Sequence, residues 1–434
     1  FKLSGGGTLN NANNLILNDP ASLLAISDST KISHLLVSDS NTNGGLTISS
    51  SVSSSTGNLV ENLSLSDSFY VSSDVAWAVD NITADATLTF SSDKNVNFGA
   101  LTLTGSADFS LGTEDITLSM ASAVTVGNTQ KLQNGGGSFN FLGGLSLETG
   151  SELIGQGKQV SGNIVLNGGQ IATEQNTVLT DNLTQSADST LQIDTSKTLT
   201  YSGAVVDIGT SKLNIQGGGS FINSAVSALS LNNAGSHLVL DNVTVGFVSA
   251  SAASNGAKGL EVSADSTLTN LSMTDKLRLS VDSTKTLTIA EPLTVPTQGM
   301  DLAGAGTLDL TDNLTLNGNV TLASGSLTID ARGLQLNLGG DLNLVGGVLL
   351  TDNTTYFHLL ANSTLTTDTE QTVANVTIPA NEAPMLTLGN TTILNVIEQV
   401  AFGISCPQSL PIQPTGKLRL PGGIMINTGS ELCI

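Results

Sequence analysis

The chain has 434 residues and a formal net charge of −22, with 36 acidic side chains against 14 basic ones. This charge opposes binding to nucleic acid or to an anionic membrane surface, so neither is an expected partner. Charged residues make up 12% of the chain and aromatic residues 3%, whereas an ordinary globular domain carries about 25% charge. The length would allow two or three such domains, but the bias runs through nearly the whole chain and argues against that division. The 39% of hydrophobic residues come in regular pairs, which argues against disorder.

The N-terminal part of the chain shows a pattern that recurs further along, in which two apolar residues are separated by one residue. Such pairs predict very short strands, because alternate side chains of a strand lie on the same face. They include Leu15/Leu17, Leu35/Val37, Leu46/Ile48, Leu63/Leu65, Leu88/Phe90, Leu101/Leu103, Phe109/Leu111, Ile116/Leu118 and Val124/Val126. The Ser-rich run at 49–57 is predicted to be an insertion at a corner. Trp77, the one tryptophan, is predicted to pack in the core or at a corner rather than to form a platform for a sugar.

Glycine-rich runs precede predicted strands at four places. They are GGGTLNN from Gly5, GGGSFNF from Gly135, GGGSFIN from Gly217 and GAGTLDL from Gly304. A phosphate-binding loop would need a strand before it, a helix after it and usually a Lys that closes it, whereas strands follow here. These runs are therefore predicted to form tight corners, where glycine admits positive φ.

One short segment occurs twice, as LQIDTSKTLT at Leu191–Thr200 and as LSVDSTKTLT at Leu279–Thr288. The offset from Leu191 to Leu279 corresponds to four repeats of about 22 residues, and recurrence of this kind is typical of solenoid proteins. Residues 249–259 lie between the copies, lack strand pairs and are predicted to be a loop that leaves the repeat.

The clearest pattern lies in Thr307–Thr351, where seven apolar pairs follow one another at short and nearly even intervals. Asp, Asn, Gly and Ser separate the pairs, and these residues turn a backbone at little cost. Strands this short favour a coil over a hairpin meander. We expect three strands and three corners in one rung. A rung is about 20 residues long, because Leu308, Leu327 and Val348 follow one another at intervals of about that length.

The predicted fold is therefore all-β, a single-stranded parallel β-helix (a solenoid) with about 20 residues per rung. Long rungs without a hexapeptide repeat favour the right-handed form. We expect roughly 19–21 rungs and, at about 4.8 Å per rung, a length of about 90–100 Å.

The composition changes after about residue 375, where six of the nine prolines cluster. Residues 1–375 are predicted to form the β-helix, and 376–434 a Pro-rich C-terminal cap or docking segment that covers or mates the open edge of the last rung. Thr391–Gly403 is the one stretch with helical spacing of its apolar residues. Cys406 and Cys433 bracket a Pro-rich segment and are predicted to form a disulfide, with reduced thiols as the alternative. That closed loop would contribute about 3–4 kcal/mol.

The sequence offers no pattern for catalysis, for a cofactor or for a metal ion. His34, His237 and His358 are far apart along the chain, and no His-x-x-x-His or Cys-x-x-Cys pair suggests zinc. Polysaccharide lyases and hydrolases occur on such coils, but scarce aromatic residues and scarce arginine argue against a sugar-cleaving groove. The chain is predicted not to be an enzyme. Eleven Asn-x-Ser/Thr sequons would permit glycosylation, and about that number arises by chance in this composition.

Thr-x-Thr pairs flank apolar residues, so their hydroxyls are expected to point outward. They are Thr87/Thr89, Thr102/Thr104, Thr198/Thr200, Thr267/Thr269, Thr286/Thr288 and Thr364/Thr366. The preferred interpretation is β-propensity combined with a polar face. A flat array of threonines could order water and bind ice, and this alternative stays open although the irregular spacing argues against one continuous face.

The paired apolar residues, the richness in Gly, Asn, Ser and Thr, the acidic charge and the scarce cysteine make residues 1–375 similar to bacterial surface β-helix proteins. Autotransporter passengers and filamentous-haemagglutinin-like adhesins are the kinds that the chain resembles. The resemblance implies export, surface exposure and a role in adhesion or scaffolding. It matches no signature motif and transfers no functional residue.

These observations predict an extracellular structural protein, a subunit of a filament, sheath or surface layer that assembles through the ends and faces of the solenoid. The expected partners are copies of the chain itself. A monomeric adhesin that binds host cells or glycans is the alternative. No apolar run is long enough to insert into a membrane. Because the chain begins at Phe1 without Met and without a signal peptide, we expect export with removal of a leader.

Overall fold

A computed structural model describes residues 1–28, 30–49, 59–251, 259–378, 385–389, 392–402, 417–419 and 424–426. Cys406 and Cys433 lie outside the described residues, so their disulfide stays a prediction. Most of the Ser-rich run at 49–57 and of the loop expected at 249–259 also lies outside them.

The fold is a right-handed parallel β-solenoid of about 17 turns, in which strands stack on partners about 21 residues further along the chain. This confirms the predicted fold class. The expected number of rungs is too high, because several turns are longer than the assumed repeat. One such turn carries the chain from Ile32 to its parallel partner Val60. The described residues contain no α-helix and one short 3₁₀ turn, Ala225–Ser227.

Within the described part of the chain there are 49 strands, most of them short. The strands up to residue 126 are β1 (Lys2–Leu3), β2 (Thr8–Leu9), β3 (Leu15–Leu17), β4 (Leu24–Ile26), β5 (Lys31–Val37), β6 (Asn41–Ile48), β7 (Val60–Leu65), β8 (Phe69–Ser73), β9 (Trp77–Ala84), β10 (Leu88–Ser92), β11 (Val96–Leu103), β12 (Asp108–Leu111), β13 (Thr117–Met120) and β14 (Val124–Val126). Those up to residue 250 are β15 (Lys131–Gln133), β16 (Ser138–Glu148), β17 (Glu152–Gln156), β18 (Gln159–Asn167), β19 (Gln170–Gln175), β20 (Thr177–Leu179), β21 (Leu183–Ala187), β22 (Ser189–Ile193), β23 (Thr198–Tyr201), β24 (Val206–Asp207), β25 (Lys212–Gln216), β26 (Ser220–Ile222), β27 (Leu229–Leu231), β28 (His237–Asp241) and β29 (Thr244–Ala250). The remaining strands are β30 (Gly259–Val262), β31 (Ser266–Met273), β32 (Leu277–Val281), β33 (Thr286–Ile289), β34 (Leu293–Val295), β35 (Met300–Gly304), β36 (Thr307–Leu310), β37 (Leu314–Leu316), β38 (Val320–Gly325), β39 (Thr328–Asp330), β40 (Gln335–Leu338), β41 (Leu342–Leu344), β42 (Val348–Leu350), β43 (Tyr356–Leu359), β44 (Ser363–Thr367), β45 (Glu370–Ile378), β46 (Leu386–Leu388), β47 (Ile393–Phe402), β48 (Lys417–Arg419) and β49 (Ile424–Ile426).

The strands fall into two compact units, Phe1–Val206 with Gln216–Ser227, and Asp207–Ile215 with Ala228–Ile434. In the first unit one parallel sheet runs through β8, β10, β12, β15, β17, β19 and β22. A second sheet of that unit runs through β5, β7, β9, β11, β13, β16 and β18.

The second unit has three parallel sheets around its core. The first runs through β28, β30, β32, β35, β38, β41, β44 and β46, the second through β27, β29, β31, β33, β36, β39 and β42, and the third through β34, β37, β40, β43, β45 and β47.

Inward columns of apolar side chains form the core of each unit. In the first unit, one column stacks Leu88, Phe109, Leu132, Leu153, Ile171 and Leu191 in register, and each side chain is at most 3% exposed. Burying one such side chain contributes about 1.5–3 kcal/mol. Trp77 is buried as well and donates its Nε1–H to Ser92 Oγ at 3.2 Å. It packs 6.3 Å from the ring of Phe90, so the expected core role is confirmed.

Corner Asn and Asp side chains hydrogen-bond from one turn to the next. In eight corners the side-chain oxygen accepts a backbone N–H of the following turn, at 2.6–3.0 Å. The acceptor and donor residues are Asn95 and Thr117, Asn134 and Gln156, Asn176 and Thr198, Asp265 and Thr286, Asn313 and Gln335, Asn319 and Asp341, Asp341 and Thr364, and Asn362 and Met385. Seven of these bonds satisfy an amide at or next to the start of a strand, and the eighth satisfies the Gln156 amide at the end of β17. Each amide would otherwise lack a partner at the corner.

The recurring segment folds into the same corner in each unit. Ser196 and Thr284 occupy equivalent positions and have φ of 63° and 65°. The amides of Lys197 and Lys285, which follow them, donate to the carbonyls of Asp194 and Asp282 at 2.9 and 3.0 Å. In each unit the next turn packs a glycine-rich run against this corner, which confirms the structural interpretation of those runs.

The helical spacing of apolar residues in Thr391–Gly403 does not produce a helix, because Ile393–Phe402 is a strand that pairs in parallel with β45. Leu394 and Val396 are fully buried and alternate with the half-buried Asn395. Burial in this segment therefore repeats every two residues, as in a strand, and not with the spacing of a helix. β-Branched residues, which are frequent in this segment, also favour a strand. Parallel pairing continues from β47 to β48 and β49, and the cap at 376–434 stays a prediction.

Candidate functional site

The three histidines lie on different strands, His34 on β5, His237 on β28 and His358 on β43. His237 Nε2 is 2.9 Å from Glu261 Oε2 on the neighbouring turn. Within the described residues, no group of three or more His, Cys, Asp or Glu side chains could hold a metal ion. In the same part of the chain, no helix has the length and hydropathy needed to cross a bilayer.

An outward column of polar side chains crosses five turns of the first unit, in the order Asp108, Lys131, Glu152, Gln170 and Thr190. Lys131 Nζ lies 2.9 Å from Glu152 Oε2, and Gln170 Nε2 donates to Glu152 Oε1 at 3.1 Å. The hydrogen bond to Glu152 and the nearby carboxylate charges raise the pKa of Lys131. The column therefore places the Lys131–Glu152 ion pair and the hydrogen-bonded side-chain amide of Gln170 on the same outer face of the first unit.

A polar groove of about 200 Å³ opens beside the end of this column. Its lining residues are Gly150, Ser151, Glu152, Gly168, Gly169, Gln170 and Thr190. The corner glycines precede β17 and β19, and their missing side chains leave the depression. The sequence did not predict the groove or the column. Glu152 and Gln170 are neighbours only because the turn between them has a particular length, and the sequence pattern does not fix that length.

Two outward columns on the second unit carry threonine and aspartate. One stacks Thr286, Thr307 and Thr328, and the other stacks Thr267, Thr288, Asp309 and Asp330. The intervening Leu287 and Leu308 are buried, so these hydroxyls point outward as expected. Thr288 Oγ1 donates to Asp309 Oδ2 at 3.2 Å. The guanidinium of Arg332 hydrogen-bonds Asp330 and holds the pKa of that carboxyl below its ordinary value.

A tyrosine–carboxylate pair lies on the outer face of the first unit. The Tyr70 hydroxyl donates to Asp93 Oδ1, and Asp93 Oδ2 accepts from Ser72 Oγ at 3.1 Å and from the Ser73 amide at 3.2 Å. The hydrogen bond between Tyr70 and Asp93 raises the pKa of Tyr70 to about 12 and lowers the pKa of Asp93. The phenol therefore stays neutral at ordinary pH and acts as a donor that orders the turn.

The sequons have a structural origin in several turns. Asn313 and Asn319 are corner residues whose side-chain oxygens accept amides of the next turn. The residue after each, Leu314 or Val320, is buried in the core, and the threonine after that is half-buried on the outer face. The Asn-x-Thr pattern therefore arises from three structural positions, a corner asparagine, an inward aliphatic residue and an outward threonine. It does not require glycosylation.

Comparison of the chain with protein-family models, with curated proteins and with solved structures found no match.

Proposed function

We propose that the chain is an extracellular structural protein, of the kind found on bacterial surfaces, that assembles with copies of itself into a filament, sheath or layer. The observation that supports this role is the outward stacking of neutral polar side chains that hydrogen-bond from one turn to the next. Asn81 Nδ2 donates to Asn62 Oδ1 at 3.2 Å, and Ser161 Oγ donates to Asn140 Oδ1 at 3.1 Å. Side chains that bond to the turn below are held in fixed rotamers, so a face built from them is rigid and repetitive.

Such faces can associate with little loss of side-chain freedom, because the side chains are already ordered. The net charge of −22 opposes this association at low ionic strength. Salt screens the repulsion, since the Debye length falls from about 30 Å at 0.01 M to about 8 Å at 0.15 M. Assembly is therefore expected to increase with ionic strength.

Electron microscopy and sedimentation of the purified chain test this proposal over a range of concentration and salt. Filaments or sheets that grow with salt support it. Particles of monomer mass at every concentration and ionic strength would refute the polymer and favour the alternative, a monomeric adhesin.

Ice binding is a second candidate, favoured by the two threonine-bearing columns on the second unit. Thr286, Thr307 and Thr328 stand in register on successive turns. A thermal-hysteresis measurement of the wild-type chain decides this candidate. Ice binding is supported if the thermal hysteresis falls in a Thr307→Leu variant but not in a Thr125→Leu variant of the first unit. It is refuted if the wild-type chain shows no hysteresis.

A further inference from the structure

We propose that the groove of the first unit binds one neutral, hydroxyl-rich residue of a glycan, of pyranose size. The volume of about 200 Å³ fits a single sugar ring rather than an oligosaccharide. This inference goes beyond the structural role, and its failure would leave self-assembly untouched.

The backbone itself keeps the groove open. A Cβ built on Gly169 would lie 2.6 Å from Leu147 Cβ and 2.8 Å from Ser151 Oγ, so no larger residue fits there. Gly150 and Gly168 have φ of 80° and 93°, in the region that favours glycine. The corner geometry therefore keeps these three lining positions free of larger side chains.

The polar groups at the groove are oriented before any ligand arrives. Lys131 and the Gln170 amide nitrogen hold the two oxygens of Glu152, at 2.9 and 3.1 Å. Because Gln170 donates through Nε2, its Oε1 is left to accept. In the described part of the chain, no hydrogen bond engages Gln170 Oε1 or the Thr190 hydroxyl. An acceptor and a hydroxyl side by side suit vicinal hydroxyls of a sugar, which both donate and accept.

The charges around the groove select against anions. Lys131 lies between Asp108 and Glu152 in the column, so the local charge is negative. An acidic sugar or a phosphate would be repelled, whereas a neutral sugar meets no such repulsion. No aromatic ring lines the groove, so the binding of one residue should be weak, with a dissociation constant on the order of 1–10 mM.

Saturation-transfer NMR on the full chain tests the assignment. The probes are the methyl glycosides of glucose, galactose, mannose and N-acetylglucosamine, each titrated to about 10 mM. Two variants keep the shape of the groove. Thr190→Val removes the open hydroxyl, and Gln170→Met removes the open acceptor together with the donor to Glu152. Thr321→Val, an outward threonine of the second unit, is the matched control. Far-ultraviolet circular dichroism verifies that every variant is folded.

We expect at least one glycoside to bind the wild type and the Thr321→Val variant equally. Thr190→Val and Gln170→Met should each weaken that binding about fivefold, as expected for one lost hydrogen bond. The proposal is overturned if no glycoside gives a signal with the wild type. It is equally overturned if both groove variants bind as tightly as the control.

Discussion

Replacing Leu132 by alanine tests the stacked core most directly. Leu132 is fully buried on β15 and stands in register between Phe109 and Leu153. Leu→Ala substitutions in protein cores cost about 2–5 kcal/mol, and the cost is highest where the cavity cannot collapse. Backbone hydrogen bonds fix the turns about 4.8 Å apart, so neighbouring side chains cannot move in. We therefore expect a loss of about 3–5 kcal/mol, in the upper part of that range.

The single tryptophan provides the assay, because Trp77 is buried in the same unit. With a denaturant slope of about 3 kcal/mol per molar urea, the midpoint of its fluorescence transition should fall by about 1 M or more. Gln133→Ala is the matched control, since Gln133 is the next residue, lies on the outer side and accepts a long bond of 3.4 Å from Ser110. Its midpoint should hardly change. Equal shifts for the two variants would refute the inward column.

Three further predictions concern corners and pH. Gly325→Ala should cost about 3 kcal/mol or more, because φ is 94° and the new Cβ would collide with the carbonyl oxygen of Gly304. Gly333→Ala, with φ of 76° and no close contact around it, should cost about 1–2 kcal/mol, and equal losses in thermal unfolding would contradict the argument. Asn319→Ala should cost about 1 kcal/mol by freeing the amide of Asp341, and Asn319→Asp, which keeps the acceptor, should largely restore stability. Ultraviolet titration should show the Tyr70 phenolate near pH 12, and Asp93→Asn should lower that pKa towards 10. Because the folded pKa of Asp93 is lowered, its contribution is present above its unfolded pKa of about 4 and is lost as the pH falls through the folded value. Tyr70→Phe should therefore destabilise the chain at pH 7 and lose this effect as the pH falls through the folded pKa of Asp93. A pH-independent loss in urea titrations would contradict the pairing.

The sequence by itself determined which side chains face the core and where the chain turns. Both are local properties, since alternation along a strand follows from backbone geometry and a corner needs residues that tolerate it. Of the fourteen residues in the apolar pairs of Thr307–Thr351, for example, ten are buried in the structure. The prediction is wrong for the last pair, because Leu349 faces the core and Val348 and Leu350 are half-buried on either side of it. The parallel solenoid follows from the same pattern, because strands this short cannot bury an apolar face without a stack of neighbours.

The tertiary structure decided which outward residues meet across turns. The offset between paired residues differs from turn to turn, since Glu152 reaches Gln170 by a short turn and Ile32 reaches Val60 by a much longer one. That offset depends on the length of every corner between the two strands, and no local pattern fixes it. The groove, its ion pair and the contact of His237 with Glu261 all depend on it. Tertiary pairing also decided the state of Ile393–Phe402, because hydrogen bonds to β45 outweigh a helical spacing that a short segment cannot sustain alone.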